Sequence, residues 1–351
     1  MESLLLFFVV TLALIFAFMN GFHEGSNVVA ASVLSRSIPP GKALGFVAIA
    51  EFAGVLLFGT AVARAIGDGL LDPLCVHPAK GLSLVLVLIS ALTGTILWNV
   101  MTCWVGMPPS SSHSLIGGLL GGAVAADGLD MVNGYLLVRL LGVLAAAPLV
   151  GVLGGHAAAA CSSLLSARRR EHLNRFCGRA QWLSLVLLGA SHGTNNAQKA
   201  MGLITLALLA CGSIGTFDVA QWVFLGCGAA MGLGVYVGGW EIVKILGNRV
   251  FRIEPVHSFL SQGVSGGTLL AASLLGCPVG GVEIIKSSVI GVGAARRGGN
   301  VRRLVLRDIV LAWAISLPAT ALLAAAIYWT ASGAMGEGMG SFEGIMKTLG
   351  Q

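Results

Sequence analysis

At 351 residues, 56% hydrophobic and only 10% charged, the chain falls far below the roughly 25% charge of soluble globular proteins and reads as a polytopic membrane protein. Its net charge of +6 lies in short basic stretches between apolar runs, which argues against a nucleic-acid surface. The seven cysteines are scattered, with no CxxC and no Cys/His metal spacing, and fit small core residues.

A crossing needs about 20 apolar residues. The first run, residues 4–19, follows Met1, Glu2 and Ser3. With no basic n-region and no cleavage site it is expected to be a retained helix rather than a signal peptide, its N-terminus outside. It runs into the polar stretch NGFHEGSN, residues 20–27. Apolar runs at 47–62 (containing Glu51) and 82–105 come next, then GMPPSSSHSLIGG at 106–118 and a run at 136–153. The basic segment ARRREHLNRFCGR, 167–179, is placed in the cytoplasm by the excess of arginine. A run at 182–190 continues past the polar SHGTNNAQK to residue 211, and further runs cover 223–240 and 259–275. The segment GCPVGGVEIIKSSVIGVG fills 276–293, a second basic stretch 296–307, also expected in the cytoplasm, and a last run 309–328. These eight runs and the shorter segments predict roughly 8 to 12 crossings. The expected fold class is an all-α polytopic membrane protein that includes discontinuous half-helices. The expected location is the plasma (inner) membrane.

The chain repeats itself. At an offset of 170, Gly106, Pro108, His113, Gly121 and Pro148 meet Gly276, Pro278, Glu283, Gly291 and Pro318. At 180, Gly54, Gly59, Arg64 and Gly67 meet Gly234, Gly239, Lys244 and Gly247; at 172, NGFHEGSN lies over HGTNNAQK. Two homologous halves follow, expected to be inverted: a repeat at 1–161, a basic linker at 162–180, a second repeat at 181–330 and a short tail at 331–351. Such duplication is a hallmark of secondary transporters, whose sites lie near the midplane between the repeats.

Each half has two polar interruptions, and polar groups within membrane segments mark function by default. In PPSSSHS, Pro108 and Pro109 block helix continuation, Ser110, Ser111 and Ser112 are good N-cap residues, and a new apolar segment follows. This is the pattern of a half-helix whose free N–H groups and positive dipole end hold an anion, a tetrahedral oxyanion above all. In the equivalent break, Gly280 and Gly281 let backbone N–H groups approach a ligand closely but supply no hydroxyl. The other pair of interruptions carries Glu24, Asn27, Asn195, Asn196 and Lys199. Glu24 and the amides suit Na⁺ coordination or proton relay, and Lys199 either offsets anion charge or snorkels to an interface. Glu51 is a cation or proton site, or else a buried partner of Arg64 or Arg139. His23, His113 and His192 are candidate proton carriers, or hydrogen-bonded packing residues.

These stretches resemble the inorganic phosphate transporter family, the sodium- or proton-coupled phosphate permeases. NGFHEGSNVVAASV looks like its NGFHD-x-x-N signature, SHGTNNAQKAMGLITLAL is similar to its HGxNDxQKxMG signature, and GMPPSSSHSLIGGLLG looks like PxSSSHxLIGxxxG. The resemblance covers both halves. It implies an inverted-repeat transporter with the anion between the repeats. It places His23, Glu24, Asn27, Ser110, Ser111, Ser112, His113, Asn195, Asn196 and Lys199 in or beside the binding region. The chain departs from the family at Glu24 and Asn196, where Asp is usual, and at PVGGVE, residues 278–283, where PVSTTH is usual.

The expected function is therefore phosphate symport, with H⁺ or Na⁺ co-transported and no other cofactor. The substrate set is Asn27, Ser110, Ser111, Ser112, His113, Asn195, Lys199, Gly280 and Gly281. The cation-coupling set is His23, Glu24, Glu51, Asn196 and Glu283, with Na⁺ at Glu24, Asn27 and Asn196. A sulfate or other oxyanion permease is the alternative, because a site with fewer carboxylate acceptors loses partners for the proton of monohydrogen phosphate. An intramembrane enzyme using Ser110–Ser112 and His113 is disfavoured: the residues are adjacent on one half-helix and no third group orients them. The expected partners are the anion and membrane lipid, a homodimer being compatible with the sequence.

Overall fold

A computed structural model describes residues 2–71, 81–107, 110–164, 167–247, 253–296 and 314–334, side chains excepted at 2, 167–168, 240–247 and 296. Pro108, Pro109, the basic stretch from 297 onward and residues 335–351 lie outside the described residues.

The helices are α1 Glu2–Leu34, α2 Pro40–Leu57, α3 Ala61–Arg64, α4 Gly81–Val105, α5 Ser111–Asp127, α6 Gly134–Ser163, α7 Ala167–Ala210, α8 Gln221–Gly247, α9 Pro255–Leu274 and α10 Gly281–Arg296, followed by α11 at Ala314–Ala334. Six of them (α1, α2, α4, α6, α8 and α11) are long and apolar enough to cross a membrane. The protein is an all-α, multi-pass integral membrane protein. The remaining two expected runs fall in α7 and α9, whose apolar stretches are diluted by Asn, Gln, Ser and His.

Two expected interruptions are not interruptions. NGFHEGSN lies inside an unbroken α1 and SHGTNNAQK inside an unbroken α7. Their glycines cost helix propensity, about 1 kcal/mol each, but serve close packing. A Cβ at Gly193 would come within 2.5 Å of the Glu51 Cα and O, so α7 can lie against α2 only with glycine there. The expected linker 162–180 is largely helical among its described residues: α6 runs to Ser163, and the arginines lie in the first turns of α7. At 44 residues, α7 is about 66 Å long at 1.5 Å per residue.

The other two breaks are real and equivalent. Gly106 (φ 75°) and Gly276 (φ 69°) take the left-handed conformation that glycine adopts without strain. Met107 N donates to Thr102 O (2.9 Å) and Cys277 N to Ala272 O (2.8 Å), the same closing hydrogen bond 170 residues apart. So α4–α5 and α9–α10 are two helical hairpins with half-helices as their second arms.

The halves interlock reciprocally. Helix α1 packs along α8, α7 along α2, and α10 along α6; Gly117 and Gly121 of α5 abut Leu317 and Ala321 of α11. Close approaches at Leu14/Gly226, Gly21/Met231 and Gly25/Val235 make α1 and α8 parallel. Those at Phe46/Trp182, Ala50/Gly189 and Glu51/Gly193 make α2 and α7 parallel, and those at Leu44/Gly239, Ala48/Gly232 and Phe52/Gly228 make α2 and α8 antiparallel. Helix α1 and its equivalent α7 therefore run in opposite directions. One large apolar core joins Val9, Phe16, Leu84, Leu88, Leu92, Leu203 and Ile204 on one side of the midplane. A smaller one joins Val28, Val47, Leu185, Leu188, Leu269 and Ile284 on the other.

Candidate functional site

The tips of α5 and α10 meet between α1 and α7. Ser112 Oγ donates to Val279 O at 2.8 Å, and His113 Nδ1 faces Glu283 Oε1 at 3.7 Å. His113 and Glu283 are equivalent positions, so the contact lies near the axis relating the repeats. Ser110 occupies the N-cap position of α5, but its hydroxyl makes no cap. It shares a 2.7 Å hydrogen bond with His113 Nδ1 instead. The first-turn N–H groups of α5 are thus not spent on a side-chain cap and face the junction with the dipole's positive end.

Beside the tips runs a buried chain of acids and bases. Glu24 Oε1 accepts from Ser111 Oγ at 2.8 Å, and Glu24 Oε2 from Asn196 Nδ2 at 3.1 Å. His192 bridges two carboxylates, with Nε2 at 3.0 Å from Glu24 Oε2 and Nδ1 at 2.7 Å from Glu51 Oε1. Glu51 is thus held by His192. The expected partners are elsewhere: Arg64 pairs with Asp218 on the surface at 3.0 Å, and Arg139 is exposed on α6. An uncompensated charge at this depth would be prohibitive, so each group requires the others.

Lys199 is fully buried and does not snorkel. Its Nζ donates to Asn196 Oδ1 (2.6 Å) and Val279 O (3.1 Å) and reaches Ser111 Oγ at 3.5 Å. One ammonium therefore joins α7 to both hairpin tips. Asn195 holds the second tip by three hydrogen bonds: Nδ2 donates to Ser273 Oγ and Cys277 O, both at 3.0 Å, and Oδ1 accepts from Val279 N at 3.1 Å. Gly281 sits where a Cβ would press on the His192 ring (2.5 Å from Cδ2) and on Glu24 Oε2 (3.2 Å). A Cβ at Gly280 would collide with the Glu283 carboxylate.

The structure thus brings Glu24, Glu51, Ser110, Ser111, Ser112, His113, Asn195, Asn196, Lys199, Gly280, Gly281 and Glu283 into one cluster. His23 and Asn27 are half-buried on α1, and no hydrogen bond among the described residues joins them to it. The expected sodium set accordingly meets only in part, since Asn196 turns its carbonyl to Lys199 and its amide N–H to Glu24. Among the described residues no three His, Cys, Asp or Glu side chains converge as a metal site.

Three contributors escaped the site sets. His192 entered only as a candidate proton carrier. Ser273 carried no signal. Gln198, within the QK of the α7 signature, accepts from Val62 N (2.8 Å) and Ala63 N (3.3 Å), thereby capping α3 from another helix.

The model of the phosphate transporter family matches residues 20–175 and 156–324. The chain belongs to the phosphate transporter family. It is 37% identical over 324 residues to a probable low-affinity inorganic phosphate transporter of Rhizobium meliloti (strain 1021), covering 92% of this chain and 95% of the relative. It is 33% identical over 323 residues to a protein of the same description from Bacillus subtilis (strain 168), at the same coverage. A solved structure described as "The sodium-dependent phosphate transporter" superposes with a TM-score of 0.82 at 22% identity, over 93% of this chain and 99% of that one. That likeness supports the fold. Family membership places the protein among transporters rather than enzymes.

Proposed function

We propose that this family member is a proton-coupled symporter of inorganic phosphate that works by alternating access between two inverted repeats. The carrying observation is the buried Glu24–His192–Glu51 chain, which touches the hairpin tips through Ser111 and Gly281. With His192 protonated, its charge and that of Lys199 balance the two glutamates. Phosphate entering this cluster, which also holds the Glu283 carboxylate, brings one or two further negative charges, which have to be offset in so apolar a setting. A proton taken up on the carboxylate–imidazole chain offsets one and carries the driving force. Lys199, the hydroxyls of Ser111 and Ser112 and the N-terminal N–H groups of α5 and α10 hold the oxyanion. Glu283 stands where it can accept the proton of monohydrogen phosphate, an acceptor that sulfate does not need.

The antiparallel course of α1 and α7 and the reciprocal packing of the halves support the inverted repeat. Each hairpin then closes one side of the site, and rocking of one bundle exchanges the exposed side. Sodium coupling is the second reading, favoured by the sodium dependence ascribed to the solved neighbour. It requires Asn196 to release Lys199 and turn its oxygen towards Glu24 and Asn27. The test is a pH-sensitive dye sealed inside proteoliposomes. Adding phosphate outside in sodium-free buffer should acidify the lumen. Uptake without acidification contradicts proton coupling.

A further inference from the structure

Helices α7 and α9 share a second polar feature away from the tips. They run parallel in close register, from Asn174, whose side chain accepts from Val256 N at 3.1 Å, to Asn195 and Ser273 at the site. Between these ends lies a buried polar stripe: Gln181 and Ser184 on α7, and Ser258, Ser261, Gln262 and Ser265 on α9 at helical spacing. Gln181 Nε2 donates to Gln262 Oε1 (2.5 Å), Ser184 Oγ donates to the same oxygen (3.1 Å), and Gln262 Nε2 donates to Val28 O on α1 (3.1 Å).

The equivalent positions in the first repeat are Val9 and Leu12 on α1 and Leu88, Ala91, Leu92 and Thr95 on α4. All but Thr95 belong to, or pack on, the large apolar core. Two surfaces related by the repeat are thus built differently, one dry and one polar. Interhelical polar glue alone does not explain the polar one. Gln181 Oε1 and Ser258 Oγ are buried with no hydrogen-bond partner, and each such atom costs about 1–3 kcal/mol. A fold selected only for cohesion gains nothing from them; a surface that must wet and dry needs them. The seam also ends among arginines, where Arg170 faces Glu254 at 3.5 Å.

We propose, building on the transport function above, that the α7–α9 seam is the path by which the tetrahedral oxyanion passes between the central site and the cytoplasm, with the Gln181–Gln262 hydrogen bond as its latch. Swinging the α9–α10 hairpin away from α7 parts the two glutamines. Their amides and the serine hydroxyls then offer successive donors to an anion that has left Lys199 and the helix tips. From His192 to Gln181 is 11 residues, about 16 Å along α7, so several donors are met in turn. The arginines draw the anion at the mouth.

The test is the full chain in proteoliposomes, carrying Q181L and Q262L together. The expected result is a maximal phosphate uptake rate lowered about tenfold, the effect of about 1.4 kcal/mol on transit, with equilibrium phosphate binding unchanged. A second variant, S258C, is probed with a membrane-impermeant maleimide. It should label above the background of the parent's own cysteines, from the cytoplasmic side only, and faster during turnover. A parental uptake rate in the double variant, or S258C labelling no higher than the parent or only from outside, overturns the seam. A parent chain that moves no phosphate overturns the transport function itself.

Discussion

Replacing Glu24 by Gln isolates the charge of the site from its shape. The amide keeps the side-chain size and most of the hydrogen bonds. Its oxygen can accept from His192 and Asn196 while its NH₂ donates to Ser111 Oγ, which in the parent donates to Glu24 at 2.8 Å. What goes is one of the two carboxylates that hold His192. A charge-assisted hydrogen bond is worth about 1.5–3 kcal/mol, and leaving a buried partner uncompensated costs about 3–5 kcal/mol. The predicted loss lies between these, about 3 kcal/mol, or roughly a hundredfold in the population of the loaded, charge-balanced state. Two assays on the same proteoliposomes separate the consequences. Phosphate exchange at equal pH needs no net proton movement and should persist at a reduced rate. Accumulation against a phosphate gradient, driven by a pH difference, should disappear. Full gradient-driven accumulation in Glu24→Gln would refute the placement of the coupling proton on this chain.

Gly281→Ala should abolish uptake, because the added methyl group displaces the His192 ring from Glu24; near-parental uptake would show that the ring contact is dispensable. Lys199→Gln should weaken phosphate binding by at least tenfold, the loss of one charge-assisted contact, as measured by equilibrium binding of labelled phosphate. Arg64→Ala should leave transport and thermal stability within error, since its pair with Asp218 is exposed and such pairs contribute about 0–1 kcal/mol.

What the sequence shows of this molecule depends on the range of the interactions involved. The first half-helix break is legible because its signals are local: two prolines that cannot continue a helix, serines at the N-cap position and an apolar run after them. The offset of 170 residues carried the first hairpin onto the second even though GGVE replaces the usual hydroxyls. The polar stretches of α1 and α7 misled because glycine and asparagine are helix breakers only when nothing packs against them. Gly193 is held in a helix by its contact with Glu51, 142 residues away in sequence. The pairing of Glu51 with His192 was likewise invisible, since nothing local distinguishes an imidazole on α7 from an arginine on α3 or α6. Lys199 was divided between snorkelling and the site. Its acceptors come from Asn196 one turn away and from Val279 at the tip of the α9–α10 hairpin, and only the fold brings the second within reach.

The most direct measurement is uptake of radiolabelled phosphate into proteoliposomes under an imposed proton gradient without sodium, an imposed sodium gradient without a pH difference, and excess unlabelled sulfate. Proton-coupled phosphate symport predicts accumulation under the proton gradient alone, undiminished by sulfate. Accumulation that requires sodium, or that sulfate suppresses, would contradict it.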